Sequence, residues 1–508
     1  MINPQGGGQN TLQTGDRSWQ FPQSISGQLD IVGGNGFGRY PKISSEQTFN
    51  MIVSDGALVD FAGYKLKLSI GVSNEGRTIY NAAKINSLIA VIDSGVFLID
   101  NSFNQTRVGS LTTSTGPAWV ADNLAGQIAI TDGTFNVYIY DYNMNTFQTV
   151  PVTFRAGMIA YQDTYFIAPD LSSNQWFISK QSDGTVWPVG ANNTGELQSK
   201  ATTCVACVAL DRQLLIVGGT VTEPWSDQGL QLFPYVRNSF YCIDYGTINA
   251  DTIATGFGLM VWLASNQQSG NTIMYSQEAS PPQTISNDGL DFVLSQLKAP
   301  KNSFGMLYKL EGHIIYHITF YTDNVSYIYD FNTQMFFSVT DEHLNYHPAK
   351  KIAFFNNSYY FVSINDGNIY EMNSQITNIN YGTTTDTLLM IPRYRICKNI
   401  RTPDADRLVI QNINITMESG QNGIINEIDP PTPFPGALAQ TKLEFSCSTD
   451  GGASFGHIYS KKLRLLGKRK NKLDLWNLGG IENDFVPKFG FWTYGRVVII
   501  SAQISLYP

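Results

Sequence analysis

Charge is scarce in this 508-residue chain, where Asp, Glu, Lys and Arg together make up only 15%. A composition so poor in these residues does not suit long solvated helices. Cysteine is limited to Cys204, Cys207, Cys242, Cys397 and Cys447. An odd number scattered over a large chain excludes a dense disulfide framework, and free, mostly buried thiols are expected. No stretch approaches the roughly 18 consecutive apolar residues of a membrane-crossing helix. The opening MINPQGGGQNTLQTGD lacks a basic start and an apolar core, so neither a secretory leader nor membrane insertion is expected. Basic residues are the minority charge, 33 Lys and Arg against 41 Asp and Glu, for a net −8. That excludes the basic footprint of a tight DNA binder, and an acidic surface would let DNA pass without sticking.

What is present is strand and turn material. Aromatics reach 12%, with 29 Phe and 26 Tyr, and there are 45 Gly. An all-β protein is predicted. The length exceeds one compact core, so several domains or a repetitive β architecture are required.

Residues 1–40 are rich in Gly, Gln, Asn and Ser without a sustained period, and are expected to form a flexible N-terminal arm ordered only by a neighbour. From about residue 76, apolar runs of five to seven residues alternate with turn signals such as Asp93-Ser94-Gly95, Thr131-Asp132-Gly133 and Asn365-Asp366-Gly367. These are antiparallel hairpins. One segment repeats: Tyr138-Ile-Tyr-Asp-Tyr-Asn matches Tyr327-Ile-Tyr-Asp-Phe-Asn, with weaker copies at Phe97 to Thr106 and Asn368 to Asn373. The acidic residue moves from Asp100 to Asp141 and from Asp330 to Glu371, both steps of 41 residues, the length of a four-stranded propeller blade. Each repeat pairs an apolar strand (Leu88 to Ile92, Gln127 to Thr131, Ile314 to Phe320, Tyr359 to Ser363) with a strand ending in the acid. The acid is assigned to the turn it begins, where its side chain can bond the backbone. Trp176 to Ser179, Tyr241 to Asp244 and Met274 to Ser276 are fainter copies, and residues 224–238 are taken as a loop insertion.

The expected fold is therefore a β-propeller of six or seven blades over residues 41–395. Longer strands at Arg407 to Met417, Thr441 to Ser448 and Arg496 to Leu506 predict an additional β-sandwich-like C-terminal domain over 396–508. A last strand returning to close the propeller is the alternative.

Two regions resemble the packaged-DNA stabilisation, or tail nozzle, proteins of short-tailed bacteriophages, the podovirus tail accessory factors. The first is Gln47-Thr-Phe-Asn-Met51 with Gly56-Ala-Leu58 and Gly63-Tyr-Lys-Leu66, where Gln47 and Ala62 stand in place of Arg and Pro. The second is C-terminal: Glu418-Ser-Gly420, Ser446 to Phe455, Leu466-Gly467, Trp476-Asn-Leu-Gly479 and the strand Val497 to Leu506. The resemblance implies a structural virion protein, made in the bacterial cytoplasm, that forms a homo-oligomeric ring of six. Its implied partners are the portal and adaptor proteins, tail fibre, spike or plug proteins, and double-stranded DNA in transient passage. The central channel would retain the packaged genome and conduct it at ejection. No catalytic, cofactor-binding or metal-ligating residue is expected, and no cofactor.

Five further motifs carry candidate chemistry. Ser448-Thr-Asp-Gly-Gly-Ala-Ser-Phe455 fits an Asp-box hairpin, which favours a carbohydrate-active, sialidase-like propeller as the alternative function. Such boxes cap turns; a sialidase needs three convergent arginines, a Tyr nucleophile with a Glu partner and a catalytic Asp, whereas here arginines are few and the box occurs once, outside the propeller. Cys204-Val-Ala-Cys207 has the spacing of half a zinc site, but strand positions i and i+3 point to opposite faces, so the thiols are expected to diverge. His313 with His317, and His343 with His347, could hold a metal in principle; they are read as core or interface imidazoles. Lys461, Lys462, Arg464, Lys468, Arg469, Lys470 and Lys472 form a basic hairpin in an acidic chain, either solvated or facing an acidic neighbour or DNA phosphates. Gly33-Gly34-Asn35-Gly36-Phe37-Gly38 lacks the strand and helix of a nucleotide site and is read as a flexible loop. A free-standing propeller used as a protein-interaction platform remains a third class.

Overall fold

The computed structural model describes residues 25–39, 46–71, 75–239, 241–277, 280–382, 389–401, 408–421, 442–463, 471–476, 478–481, 484–493 and 495–507. Seven antiparallel sheets follow one another along the chain, at 76–110, 119–151, 160–196, 204–237, 246–284, 303–338 and 349–373. They are the blades of a seven-bladed propeller, numbered 1 to 7 here. First strands of successive blades adjoin, and Ala349–Phe355 of blade 7 lies against Gly76–Ala82 of blade 1, closing the ring.

The strands are apolar on both sides because each blade is sandwiched between two others. In blade 2, Val137 and Ile139 of the third strand pack with Phe166 and Phe177 of blade 3. The intervening Tyr138 and Tyr140 pack with Ile89 and Val91 of blade 1. Period-two alternation thus directs alternate residues to alternate neighbours. Full burial of each such side chain stabilises by about 1.5–3 kcal/mol, and isolated blades would forfeit it.

Closure comes from ahead of the propeller, not from behind it. The strand Gly63–Leu68 supplies the fourth strand of blade 7, antiparallel to Ile369–Asn373, with Tyr64 opposite Met372 and Lys65 opposite Glu371. Its far edge pairs in parallel with Asn378–Asn380. Gly63 donates its backbone N–H to Ile376 O at 2.6 Å. A Cβ there would stand 2.2 Å from Asn378 O, so only glycine allows the approach.

The remaining strands form two packed sheets. One holds Ile25–Leu29, Met51–Ser54, Ala57–Asp60, Leu408–Gln421, Asn471–Trp476, Gly480–Ile481 and Arg496–Tyr507. The other holds Gln47–Phe49, Arg393–Ile396, Ile400–Arg401, Lys442–Ser448, Tyr459–Lys462 and Asp484–Trp492. Ile413, Ile415, Ile499 and Ile504 of the first sheet share a core with Leu443, Phe445, Phe489 and Phe491 of the second. The second sheet continues into blade 6, where Phe49 pairs in parallel beside Ser338.

This arrangement departs from the expected division in three places. The 396–508 strands do not form a unit of their own, since strands within 25–60 complete both of their sheets. The last strand is central in its sheet, flanked by Leu408–Gln421 on one side and by Ile25–Leu29 and Ala57–Asp60 on the other, and does not close the propeller. Residues 224–238 are not an insertion: Thr222–Asp227 and Tyr235–Arg237 are the third and fourth strands of blade 4. Pro224 and the buried Glu223 had hidden a strand there; Tyr241 to Asp244 is not one.

Candidate functional site

Residues 25–39 are built into the body and do not form a flexible arm; residues 1–24 lie outside the described residues. The loop at 33–38 is anchored on blade 6. Asn35 N–H donates to Phe336 O at 2.7 Å, and Phe37 packs edge-on against Tyr327 and Phe336. A Cβ on Gly34 would lie 2.6 Å from Phe336 O, which explains the glycine without any nucleotide. The fully buried Arg395 donates to Ile31 O (2.9 Å), Gly34 O (2.9 Å) and the Thr48 hydroxyl (2.9 Å), and pairs with Glu46. A cleft of about 250 Å³ opens beside this anchor, lined by Asn35, Phe37, Phe49, Tyr327 and Thr340.

Charged groups on the inner strands are consumed by stitching blades together. Arg77 donates to Gly116 O at 2.9 Å, Thr113 O at 2.8 Å and Pro117 O at 3.0 Å, tying blade 1 to the segment that leads into blade 2. Lys350 of blade 7 pairs with Glu75. Its neighbour Lys351 donates to Gly305 O in blade 6 at 2.9 Å and pairs with Asp251 in blade 5 at 3.0 Å. A register shift between Ala349 and Lys351 lets the two adjacent lysines serve different neighbours.

The strand-ending acids organise turns, as their position suggested. Asp100 accepts from Ser102 N–H and Asn104 N–H, both at 2.8 Å, Asp141 from Asn143 N–H at 2.9 Å, and Asp330 from Asn332 N–H at 3.0 Å. Asp227 does the same in blade 4, accepting from Gly229 N–H at 2.7 Å, and is the repeat acid that sequence comparison missed. Glu371 differs, pairing across the seam with Lys65 of the closing strand at 3.4 Å.

The Asp-box carboxylate is likewise occupied by its own hairpin. Asp450 accepts from the Ser448 hydroxyl (2.5 Å), Ser454 N–H (2.9 Å) and the Ser454 hydroxyl (2.6 Å). Those hydrogen bonds, the Ser448 hydroxyl foremost, hold its carboxyl well below the usual range. Phe455 lies under the Lys488 ammonium at 5.1 Å.

Cys204 and Cys207 correct the strand argument. A bulge between Cys204 and Ala206 inserts one residue, so both thiols fall on one face, in the cluster with Trp176, Trp225 and Tyr235. Both are free and fully buried, and burial together with the adjacent Cys204 sulfur pushes Cys207 well up. Among the described residues no group of three or more His, Cys, Asp or Glu is placed to hold a metal.

The four histidines part company. His313 Nδ1 lies 2.8 Å from Asp330 Oδ2 and its Nε2 lies 3.1 Å from the Ser54 hydroxyl, linking blade 6 to the N-terminal strands. His343 is on the surface, 3.6 Å from Glu342. His317 and His347, from the two sequence pairs, meet each other in the interior, with ring centroids 5.1 Å apart. Of the basic hairpin, Arg464, Lys468, Arg469 and Lys470 lie outside the described residues. Lys461 donates to Asp474 O at 2.6 Å, while Lys462 and Lys472 are exposed. The Pro-rich segment at 429–436 also lies outside them.

A second groove, about 670 Å³, runs between blades 3 and 4 over Phe154, Phe177, Trp225 and Phe233. It has no signature in sequence. Its walls come from separate blades.

Residues 37–377 match the family described as "Bacteriophage P22 Gp10, beta-propeller". The match takes in the motif at 47–66 and every repeat, and stops short of the C-terminal motifs. No curated protein matches the sequence. Among solved structures, a streptogramin B lyase is similar at 13% identity and TM-score 0.42, covering 62% of this chain and 97% of that one. A catalytically inactive virginiamycin B lyase from Staphylococcus aureus with quinupristin is similar at 10% identity and TM-score 0.43, over 61% and 99%. The WD40 β-propeller domain of Doa1 is similar at 11% and TM-score 0.40, over 62% and 97%.

Proposed function

The chain belongs to the Bacteriophage P22 Gp10 β-propeller family, and from that premise we propose that it is a structural, non-enzymatic component of a phage tail, located in the virion. Within that reading, it acts as a nozzle: a closed ring of six copies below the portal and adaptor that retains packaged DNA and conducts it at ejection. The observation that carries the reading is the family match across the whole seven-bladed ring and its closing strand. The engagement of the inner-strand charges, the turn acids and the Asp-box carboxylate in internal bonds supports a rigid structural role. The chain's net charge of −8 suits a surface that DNA passes without adhering.

Negative-stain imaging of the purified protein, with and without its portal and adaptor proteins, tests the assignment. Closed rings or a bound connector are expected. Particles that stay monomeric under both conditions would overturn it. Within the same reading, the positive charges of Lys468, Arg469 and Lys470 serve to bind DNA phosphates or an acidic neighbour. Reversing these three charges is expected to lower virion yield or genome retention, and unchanged virions would remove that contact.

A further inference from the structure

Blade 6, blade 7 and the closing strand meet at the two buried imidazoles. His317 is on the second strand of blade 6 and His347 is in the segment entering blade 7, at 1% and 2% exposure. Tyr64, on the closing strand, packs edge-on against the His347 ring at 5.3 Å. Phe361 of blade 7 lies 5.6 Å from His347, and Tyr308 of blade 6 lies 6.4 Å from His317.

Hydrogen bonding fixes the neutral form. His347 Nδ1 accepts from the backbone N–H of Ala349 at 3.3 Å, and its buried Nε2 has no hydrogen-bond partner among the described residues. A proton added at Nδ1 would set two donors against each other. His317 lies between the Tyr308 hydroxyl at 3.5 Å and the Thr319 hydroxyl at 3.3 Å, and neither carries charge. The surrounding acids are engaged elsewhere. Glu342 accepts from the Tyr381 hydroxyl at 2.7 Å, and that hydroxyl lies 3.2 Å from Tyr64's. Asp366 accepts from the Tyr370 hydroxyl (2.6 Å), Asp341 from His343 N–H (2.8 Å), and Asp330 faces His313. Among the described residues, neither imidazole has a carboxylate within ion-pair reach. A charge introduced here would be uncompensated in an aromatic cage, which is costly.

We propose that this pair makes the propeller's clasp proton-sensitive: protonation of His347 and His317 displaces the Tyr64 strand from blade 7 and opens the ring at its seam. Burial pushes His347 down to about 3, and burial with the neighbouring His347 ring holds His317 well below the usual imidazole range. The sign follows from linkage. An unfolded imidazole takes up its proton near 6.5, whereas folded His347 waits until about 3. The stability owed to the neutral form is therefore complete above 6.5 and is lost progressively as pH falls through that window.

Hydrogen exchange of the intact protein, stepped down in pH and corrected for intrinsic rates, tests the clasp. Amides of Gly63–Leu68 should lose protection before those of blades 2 and 3. A double variant, His317→Gln with His347→Asn, keeps an acceptor for Ala349 N–H and removes both titrations. It should hold protection to a pH lower by about one unit. Identical opening pH in the two proteins, or blades 2 and 3 opening first, would overturn the proposal. Should the double variant fail to fold, ¹³C-histidine NMR of the unmodified protein decides: two imidazoles must remain neutral until the clasp opens, and titration of all five near 6.5 in the folded state refutes it.

Discussion

Arg393 Nε and Asp60 Oδ1 stand 2.9 Å apart, with both side chains almost wholly removed from water. The guanidinium also donates to Thr493 O at 2.9 Å and Thr377 O at 2.7 Å, while Asp60 accepts from Val497 N–H at 2.9 Å. One buried pair thus joins the N-terminal strand Ala57–Asp60 to Arg393–Ile396, to Thr377 just after blade 7 and to the connection into the last strand. Removing either partner strands the other. Arg393→Ala is expected to destabilise the two-sheet unit by about 3–5 kcal/mol, measured as a lowered denaturant midpoint. A paired apolar replacement, Arg393→Met with Asp60→Leu, should recover much of the loss.

At the seam, Gly63→Ala places a Cβ where Asn378 O already stands. We expect a loss of about 1–3 kcal/mol, visible as raised proteolysis between the closing strand and blade 1. Lys65→Ala, which removes a half-exposed ion pair with Glu371, should cost under about 1 kcal/mol. Equal effects from the two changes would contradict the steric account.

Asp330 and Asp141 occupy equivalent turns, yet Asp330 is fully buried and also faces His313 at 2.8 Å. Asp330→Ala leaves a buried imidazole without its partner and should cost about 1–3 kcal/mol. Asp141→Ala at an exposed turn should cost about half as much or less. Thermal midpoints of the two variants give the comparison.

Thiol chemistry should separate the cysteines in the native protein. Cys242 is exposed, Cys447 intermediate, and Cys204, Cys207 and Cys397 are buried. Burial also pushes the Cys397 thiol up to about 12. A disulfide-exchange reagent should therefore titrate one thiol quickly, a second slowly, and the other three only after unfolding.

The Asp450 turn should respond only to strong acid. Its carboxyl lies below the usual range through the Ser448 and Ser454 bonds, so the order it confers is present above an ordinary carboxyl titration near about 4 and fades as pH falls through the lowered folded value. Carbon-detected NMR of the Asp450 carboxyl reads this directly; a titration at or above the ordinary value would contradict the bonding.

Much of the propeller was legible because an acid recurs on its third strands: Asp100, Asp141 and Asp330 meet a need shared by each turn, and Glu371 keeps the spacing although it pairs with Lys65 instead. Three features escaped for physical reasons. The closing strand is remote in sequence from its partner and carries Lys65 and Lys67 at outward positions, so its local pattern names no blade. The bulge at Cys204 leaves no compositional trace, yet it reverses which thiols share a face. Blade 4 buries Glu223, which receives Gln198 N–H at 2.8 Å and Ser199 N–H at 2.6 Å, so a core strand carried the residue type of a loop. For the candidate site, the four histidines could be picked out, but the meeting of His317 with His347 depends on how blade 6 turns into blade 7.

The sharing of strands between the two ends also sets a timetable. Asp60 and Val497, joined by a hydrogen bond, are separated by 437 residues. Ribosomes add about 5–20 residues per second, so the N-terminal strands wait roughly 20–90 s, by that rate, for the last strand that pairs with them. During that interval the edges of Ile25–Leu29 and Ala57–Asp60 are open to any other strand, including the same segments of neighbouring nascent chains. Crowded synthesis on one message therefore favours exchange of these strands between copies, and the yield of correctly closed protein should fall as expression is driven harder.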